Sequence, residues 1–185
     1  MRLFTAIDLP QPVLDHLERL MARLRPAAHV KWSPVYNLHI TTKFIGQWPE
    51  ERLEDMILTL RGVPPPAQTI GIEVRGLGWF PNPHHPRVFF AAVHATPALE
   101  ELAGSLDQAA AQLGVASETR AYSPHLTLAR IAVPVPLAPL REAIAHLESV
   151  EFGSFAAHSF HLYRSQPGAG GSVYHKLAEF PLLPQ

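Results

Sequence analysis

Two short segments of this 185-residue chain carry the same pair of chemically useful side chains, His39-Ile40-Thr41 and His125-Leu126-Thr127. On an extended strand, residues i and i+2 face the same way, about 6–7 Å apart. Each segment would therefore present an imidazole and a hydroxyl together, with Ile40 or Leu126 turned to the other side. Two such faces meeting around one point suit attack on a cyclic phosphodiester. One neutral histidine removes a proton from water as its oxygen approaches phosphorus, and the other, protonated, donates to the departing ribose oxygen. The threonine hydroxyls hydrogen-bond the non-bridging oxygens as charge builds there. An unperturbed imidazole titrates near ~6.5, so both protonation states coexist around neutral pH. The scheme calls for no metal and no cofactor.

With 11 histidines in the chain, a single His-x-Thr carries little weight, and a third copy, His94-Ala95-Thr96, is present. Thr96 precedes Pro97, which reads as an N-cap followed by an N1 proline where a strand passes into a helix. His94 is therefore set aside as a decoy. The other two copies lie inside strand patterns at equivalent places in what reads as a duplicated unit.

The elements that must position them repeat at nearly constant spacing. Arg2-Leu3-Phe4-Thr5-Ala6-Ile7 resembles Arg87-Val88-Phe89-Phe90-Ala91-Ala92 at an offset of 85, and the two His-x-Thr strands match at 86. Amphipathic helices follow each opening strand, from Val13 to Leu24 and from Leu99 to Leu113, with Gly114 as a stop. Further helices fit Glu50 to Arg61 and Leu137 to Leu147. Strands are expected at Ile70 to Leu77, Phe155 to Arg164 and Val173 to Phe180. The hairpin-like loop from Pro81 to Pro86 corresponds to the Gly-rich one from Gln166 to Ser172. The pattern predicts an α+β fold, duplicated and two-lobed, with two mainly antiparallel sheets around a central cleft and helices outside. The chain is read as one bilobal domain, residues 1–185, with pseudo-repeats of roughly 1–86 and 87–185. Strand order does not follow from the pattern.

The bulk composition narrows the function. Hydrophobic residues make up 47% and charged residues 17%, enough for a sizeable core. No cysteine is present, which removes disulfides, thiolate metal sites and cysteine nucleophiles. The N-terminus meets Asp8 too early for a signal peptide, and no apolar run approaches a membrane span, so a cytoplasmic protein without membrane attachment is expected. A formal net charge of −1 speaks against tracking a long stretch of nucleic-acid backbone and for contact with an end or a short segment.

At these residues the chain resembles the two-histidine (2H) phosphoesterase superfamily, in particular the bacterial and archaeal RNA 2′,3′-cyclic phosphodiesterases first called 2′-5′ RNA ligases. The resemblance runs over nearly the whole chain. It includes Arg2 to Ile7, Asn37 to Gly46, Tyr122 to Arg130 and Leu162-Tyr163-Arg164-Ser165. It implies that His39 is the proton donor, that His125 is the proton acceptor, and that Thr41 and Thr127 bind phosphate. The implied reaction opens a terminal 2′,3′-cyclic phosphate on RNA to a 2′-phosphate, with 2′-5′ joining of RNA ends as its reverse. RNA with such an end, tRNA fragments included, is the implied partner, and a monomer is expected. Thr42 stands where the family usually has an apolar residue and is expected to face the core.

Further candidates for substrate binding are Lys43, Arg130 and Tyr163, with Arg164 and Tyr174 beside them. Lys43 shares the alternation of His39 and Thr41 and is expected at a positive rim. Arg130, five residues beyond His125, reaches the cleft only if a bulge or strand end intervenes. His84-His85 and His158/His161 are not expected to bind metal, because residues three apart on a strand diverge. Two alternatives stay open: a small cyclic nucleotide or ADP-ribose cyclic phosphate as substrate, and a non-catalytic module that binds RNA ends. A metallohydrolase ranks below both, for want of a coherent ligand set.

Overall fold

The computed structural model describes residues 1–182. Nine strands form two antiparallel sheets with four helices outside them. The first sheet is ordered β3-β1-β8-β9, from β1 (Arg2–Asp8), β3 (His39–Gln47), β8 (Ser159–Gly168) and β9 (Gly171–Pro181). The second is ordered β2-β6-β5-β4-β7, from β2 (Lys31–Trp32), β4 (Ile70–Phe80), β5 (Val88–Ala95), β6 (His125–Arg130) and β7 (Glu151–Ala157). Apart from the short edge strand β2, the orders correspond: β3-β1-β8-β9 against β6-β5-β4-β7. The halves exchange strands to achieve this. β4 leaves the first half to pair with β5, and β8 leaves the second to pair with β1.

The helices form where the apolar spacing predicts them. In α1 (Gln11–Leu24), Val13, Leu17, Leu20, Met21 and Leu24 are buried on one stripe, and a proline in the first turn gives up no helical hydrogen bond. In α3 (Pro97–Gln112), Leu99, Leu102, Leu106 and Ala110 are buried, and Gly114 closes the helix at φ +92°. A short 3-10 turn at Glu50–Arg52 precedes α2 (Leu53–Arg61), and α4 spans Ala138–Ala145. One continuous apolar core runs between sheets and helices. A small separate cluster of Phe4, Ala6 and Tyr163, with Tyr174 against it, lies on the other face of the first sheet.

Two details depart from the sequence reading. The segment expected as one strand from Phe155 to Arg164 is two, β7 and β8, which pass from one sheet to the other at His158. The hairpin-like loop expected over Gln166 to Ser172 is a hairpin but a tighter one, with β8 and β9 paired as far as Gly168 and Gly171. The register also corrects the offset between the opening strands. Ala6 lies opposite Thr41, whereas Phe90 lies opposite Thr127, so β1 and β5 correspond at an offset of 84 (Phe90 against Ala6) rather than 85. A slip of one residue exchanges the faces of a strand. It makes Ala92, opposite His125, the counterpart of Asp8, opposite His39.

Candidate active site

His39 opens β3 and His125 opens β6, and both line one cavity of about 380 Å³ together with Thr41 and Thr127. The two rings are fixed in the same way. His39 Nδ1 lies 3.0 Å from the carbonyl oxygen of Asn37, and His125 Nδ1 lies 2.8 Å from that of Ser123, in each case two residues upstream. A carbonyl only accepts, so each Nδ1 carries hydrogen and donates. That leaves Nε2 of each neutral ring with a free lone pair, the state a base needs, and protonation at the same atom makes an acid.

Each half holds the other's His-x-Thr strand. Tyr122 Oη, just ahead of β6, donates to the carbonyl of Thr41 at 2.7 Å. Ser33 Oγ, just after β2, donates to the carbonyl of Thr127 at 2.8 Å. Asn37 Nδ2 donates to the Ser172 carbonyl at 2.8 Å, tying the approach to His39 to the β8–β9 hairpin. The main chain under both threonines is thus satisfied from across the molecule, and their hydroxyls are left for a ligand. Burial drives the Tyr122 hydroxyl well above its ordinary pKa, so it remains a donor.

The charged lining of the cavity comes from Arg2, Lys31 and Arg130, and no carboxylate is among its described lining residues. Arg2 stacks over the half-exposed Phe44 ring, 5.0 Å from its centre. Three cations around two imidazoles favour an anion, and Phe44, Trp32 and Tyr174 add aromatic surface of the kind on which a base stacks.

The surroundings of the two histidines differ. His39 is packed among Tyr163 (ring centres 4.6 Å apart), Tyr174 (5.9 Å) and the Asp8 carboxylate, 3.5 Å from Nε2. Burial pulls its pKa below the ordinary histidine value, while Asp8 and the Asn37 carbonyl work the other way. His125 has the edges and faces of Phe80 and Phe90 about it, at 4.9 and 5.7 Å. Asp8 accepts hydrogen bonds from Tyr163 Oη and, at 2.7 Å, from Lys176 Nζ. Burial alone would raise the Asp8 pKa, but these donors hold it below the usual aspartate value.

Of the secondary candidates, Arg130 is brought to the cavity and Lys43 is not, for one shared reason. A bulge at Thr42 in β3 and another at Leu128 in β6 each insert a residue just after the threonine. Alternation therefore reverses after Thr41 and after Thr127. Arg130 gains the cavity side, and at the matching place in β3 Phe44 faces it. Lys43 turns inward and is 3% exposed, with Nζ 2.7 Å from Asp107 of α3, 3.1 Å from the Ala116 carbonyl and 3.3 Å from Glu118. The positive rim expected of it is corrected to a buried clasp. Thr42 faces inward as expected and shares a 2.7 Å hydrogen bond with Thr5.

Tyr163 does not line the cavity. It is a buried ring that backs His39 and donates to Asp8, while Tyr174 takes a place in the lining. Arg164 points away from the cavity, with a buried Nε that has no partner among the described residues. His94 is exposed outside the cavity. Thr96 occupies the N-cap position of α3, yet its hydroxyl does not cap: it accepts from the Gly71 amide and donates to the Thr69 carbonyl. His84, His85 and His158 are exposed, and His161 is buried beside Asp8. Among the described residues, no group of three or more His, Cys, Asp or Glu side chains is placed to hold a metal ion.

Sequence reasoning missed Arg2, Lys31, Phe44, Asp8, Tyr122 and Ser33. The first three depend on bulges and an edge pairing. The others act across strands that only the tertiary register brings together.

A family model described as "LigT like Phosphoesterase" matches residues 7–90 and again 92–174. The RNA 2′,3′-cyclic phosphodiesterase of Methanothermobacter thermautotrophicus is 37% identical over 186 residues, 98% of each chain. The crystal structure of TT0787 of Thermus thermophilus superposes with a TM-score of 0.81 at 32% identity, covering 98% of both chains. That of E. coli LigT complexed with 3′-AMP does so with a TM-score of 0.78 at 26% identity, covering 99% of this chain and 98% of that one. A double match to one family, near-complete relatives and a shared two-sheet architecture agree: the chain belongs to the LigT-like, two-histidine phosphoesterases.

Proposed function

We propose that this protein hydrolyses 2′,3′-cyclic phosphate ends of RNA to 2′-phosphates, with His39 and His125 as its catalytic pair. The observation that carries the reading is the matched pair of imidazoles, each with Nδ1–H tied to a carbonyl two residues back, in one cavity with three cations and two threonines. Water attacks phosphorus opposite O3′. His125 Nε2 takes the water proton as the new P–O bond forms, His39 Nε2–H gives its proton to O3′ as the P–O3′ bond breaks, and the phosphate stays on O2′. Thr41 and Thr127 donate to the non-bridging oxygens, and Arg130 and Lys31 draw the anion in. Relatives named RNA 2′,3′-cyclic phosphodiesterase support RNA as the substrate class. tRNA fragments suit an enzyme that grips an end, and we place it in the cytoplasm as a monomer; no helix among the described residues is long and apolar enough to cross a membrane.

The test is an oligoribonucleotide ending in a 2′,3′-cyclic phosphate, incubated with the full chain and with His39→Ala and His125→Ala. A 2′-phosphate product from the parent alone is expected. Retained hydrolysis in either variant, or binding without turnover by the parent, would sink the reading. Running 2′,3′-cyclic mononucleotides alongside separates an RNA enzyme from one for small cyclic nucleotides.

A further inference from the structure

The two histidines share their local fastenings and differ in their charged neighbours, of which Asp8 is the negative one. Asp8 ends β1 directly opposite His39, and the equivalent position opposite His125 is Ala92. Asp8 Oδ1 is 3.5 Å from His39 Nε2, too long for a good hydrogen bond but well within the range of charge. The ring is already oriented through Nδ1, so the carboxylate is not needed to aim it. Asp8 itself is held from three directions, by Tyr163 Oη, by Lys176 Nζ at 2.7 Å and by His161 Nδ1 at 3.5 Å. His161 is buried, and that nitrogen has no hydrogen-bond partner among the described residues.

The groups facing His39 come from three strands: Asp8 from β1, His161 and Tyr163 from β8, Tyr174 and Lys176 from β9. Burial, Lys176 and His161 all disfavour a positive ring; Asp8 and the Asn37 carbonyl favour it. Burial is the largest of these and the net direction is downward, so without Asp8 the ring would be harder still to charge. Ser123 gives His125 the same carbonyl, and Asp8 is the one favourable charge set opposite His39 where His125 has Ala92. We propose that Asp8 is a positioning residue for the proton, not for the ring, and that by offsetting the groups that oppose a charged ring it lets His39 serve as the acid of the pair. The proposal rests on the two-histidine hydrolysis described above. Lys176, on the far oxygen of Asp8, is the counterweight.

Full pH–rate profiles for a 2′,3′-cyclic nucleotide test this with Asp8→Asn and Lys176→Met. Well above both histidine pKa values, the rate depends on the proton affinity of the acid and not on that of the base; well below them, on the base alone. Asp8→Asn is expected to lower the alkaline-side rate about threefold to tenfold with the acid-side rate kept, and Lys176→Met to raise the alkaline-side rate. NMR titration of the His39 ring in the full chain should move to lower pH in Asp8→Asn and to higher pH in Lys176→Met. A uniform fall at every pH, an unmoved His39 titration, or a change confined to the acid side would each overturn the proposal. Should Asp8→Asn not fold, Lys176→Met decides alone, since it alters a half-exposed side chain outside the cavity. Activity surviving His39→Ala would instead remove the underlying two-histidine reading.

Discussion

The His39 and His125 ends of the cleft are built to one plan and furnished differently. Both rings are tied through Nδ1 to a carbonyl two residues back, both strands bulge just after the threonine, and both threonine carbonyls are capped from the opposite half. Around that frame one end has Asp8, Tyr163, Tyr174 and Phe44, and the other has Ala92, Phe80, Phe90 and Arg130. Hydrolysis needs an acid and a base, and two equivalent imidazoles do not say which is which. The frame sets tautomer and aim for both, and on the proposal above the neighbours divide the work between them.

The sharpest break of this comparison is removal of either ring. His39→Ala and His125→Ala should each lower kcat for a cyclic nucleotide by about 10²–10⁴. A substrate with an activated aryl leaving group needs less help from an acid, so it should restore His39→Ala and leave His125→Ala slow. Equal recovery would mean that the division of roles is wrong. Next come the hydroxyls: Thr41→Val and Thr127→Val are each expected to lower kcat by about 10- to 100-fold with KM little changed, measured in steady state.

Lys43→Met probes stability instead of chemistry. Removing one member of a buried ion pair should cost about 2 kcal/mol in urea unfolding at neutral pH, less than for full burial because Glu118 is half exposed. Burial works against the charged form of Asp107, but Lys43 and the Glu118 amide hold its pKa below the ordinary value. Its folded-state pKa is depressed, so the contribution is present at neutral pH and is lost as pH falls through that lowered value. The parent's advantage over Lys43→Met should therefore shrink in strong acid and persist at pH 6–8.

The two residues at equivalent bulges give a finer contrast. Arg130→Ala is expected to raise KM about tenfold and to flatten its salt dependence, since a phosphate-pairing charge is lost. Phe44→Ala should raise KM a few-fold with the salt dependence intact. Similar salt slopes in both would erase the difference between these ends. The smallest effect belongs to the third His-x-Thr: His94→Ala should leave kcat/KM within about twofold.

That His39, Thr41, His125 and Thr127 would face one cavity was legible because strand periodicity and a repeated motif are local. So were α1 and α3, whose apolar stripes and terminal proline and glycine need no tertiary information. Lys43 and Phe44 were not, because strict alternation assigns them to the wrong faces once Thr42 is inserted as a bulge. Arg130 was legible only as a condition, and the bulge at Leu128 meets it. Asp8 was hidden by an alignment of β1 with β5 that looked best by residue type and is one residue off by pairing. Tyr163 was expected to contact substrate and instead backs His39, because a ring on a strand does not say whether it lines a cavity or backs the residue that does.

The exchange of β4 and β8 bears on how the chain reaches this state. Asp8 and Tyr163 are 155 residues apart, and β1 gains its second neighbour only when β8 arrives. A chain emerging from the ribosome exposes one edge of β1 until its last strands are made, an open template for wrong pairing. Closing such distant contacts is slow relative to local ones. Neither half alone holds a complete sheet, so separately expressed halves should be inactive.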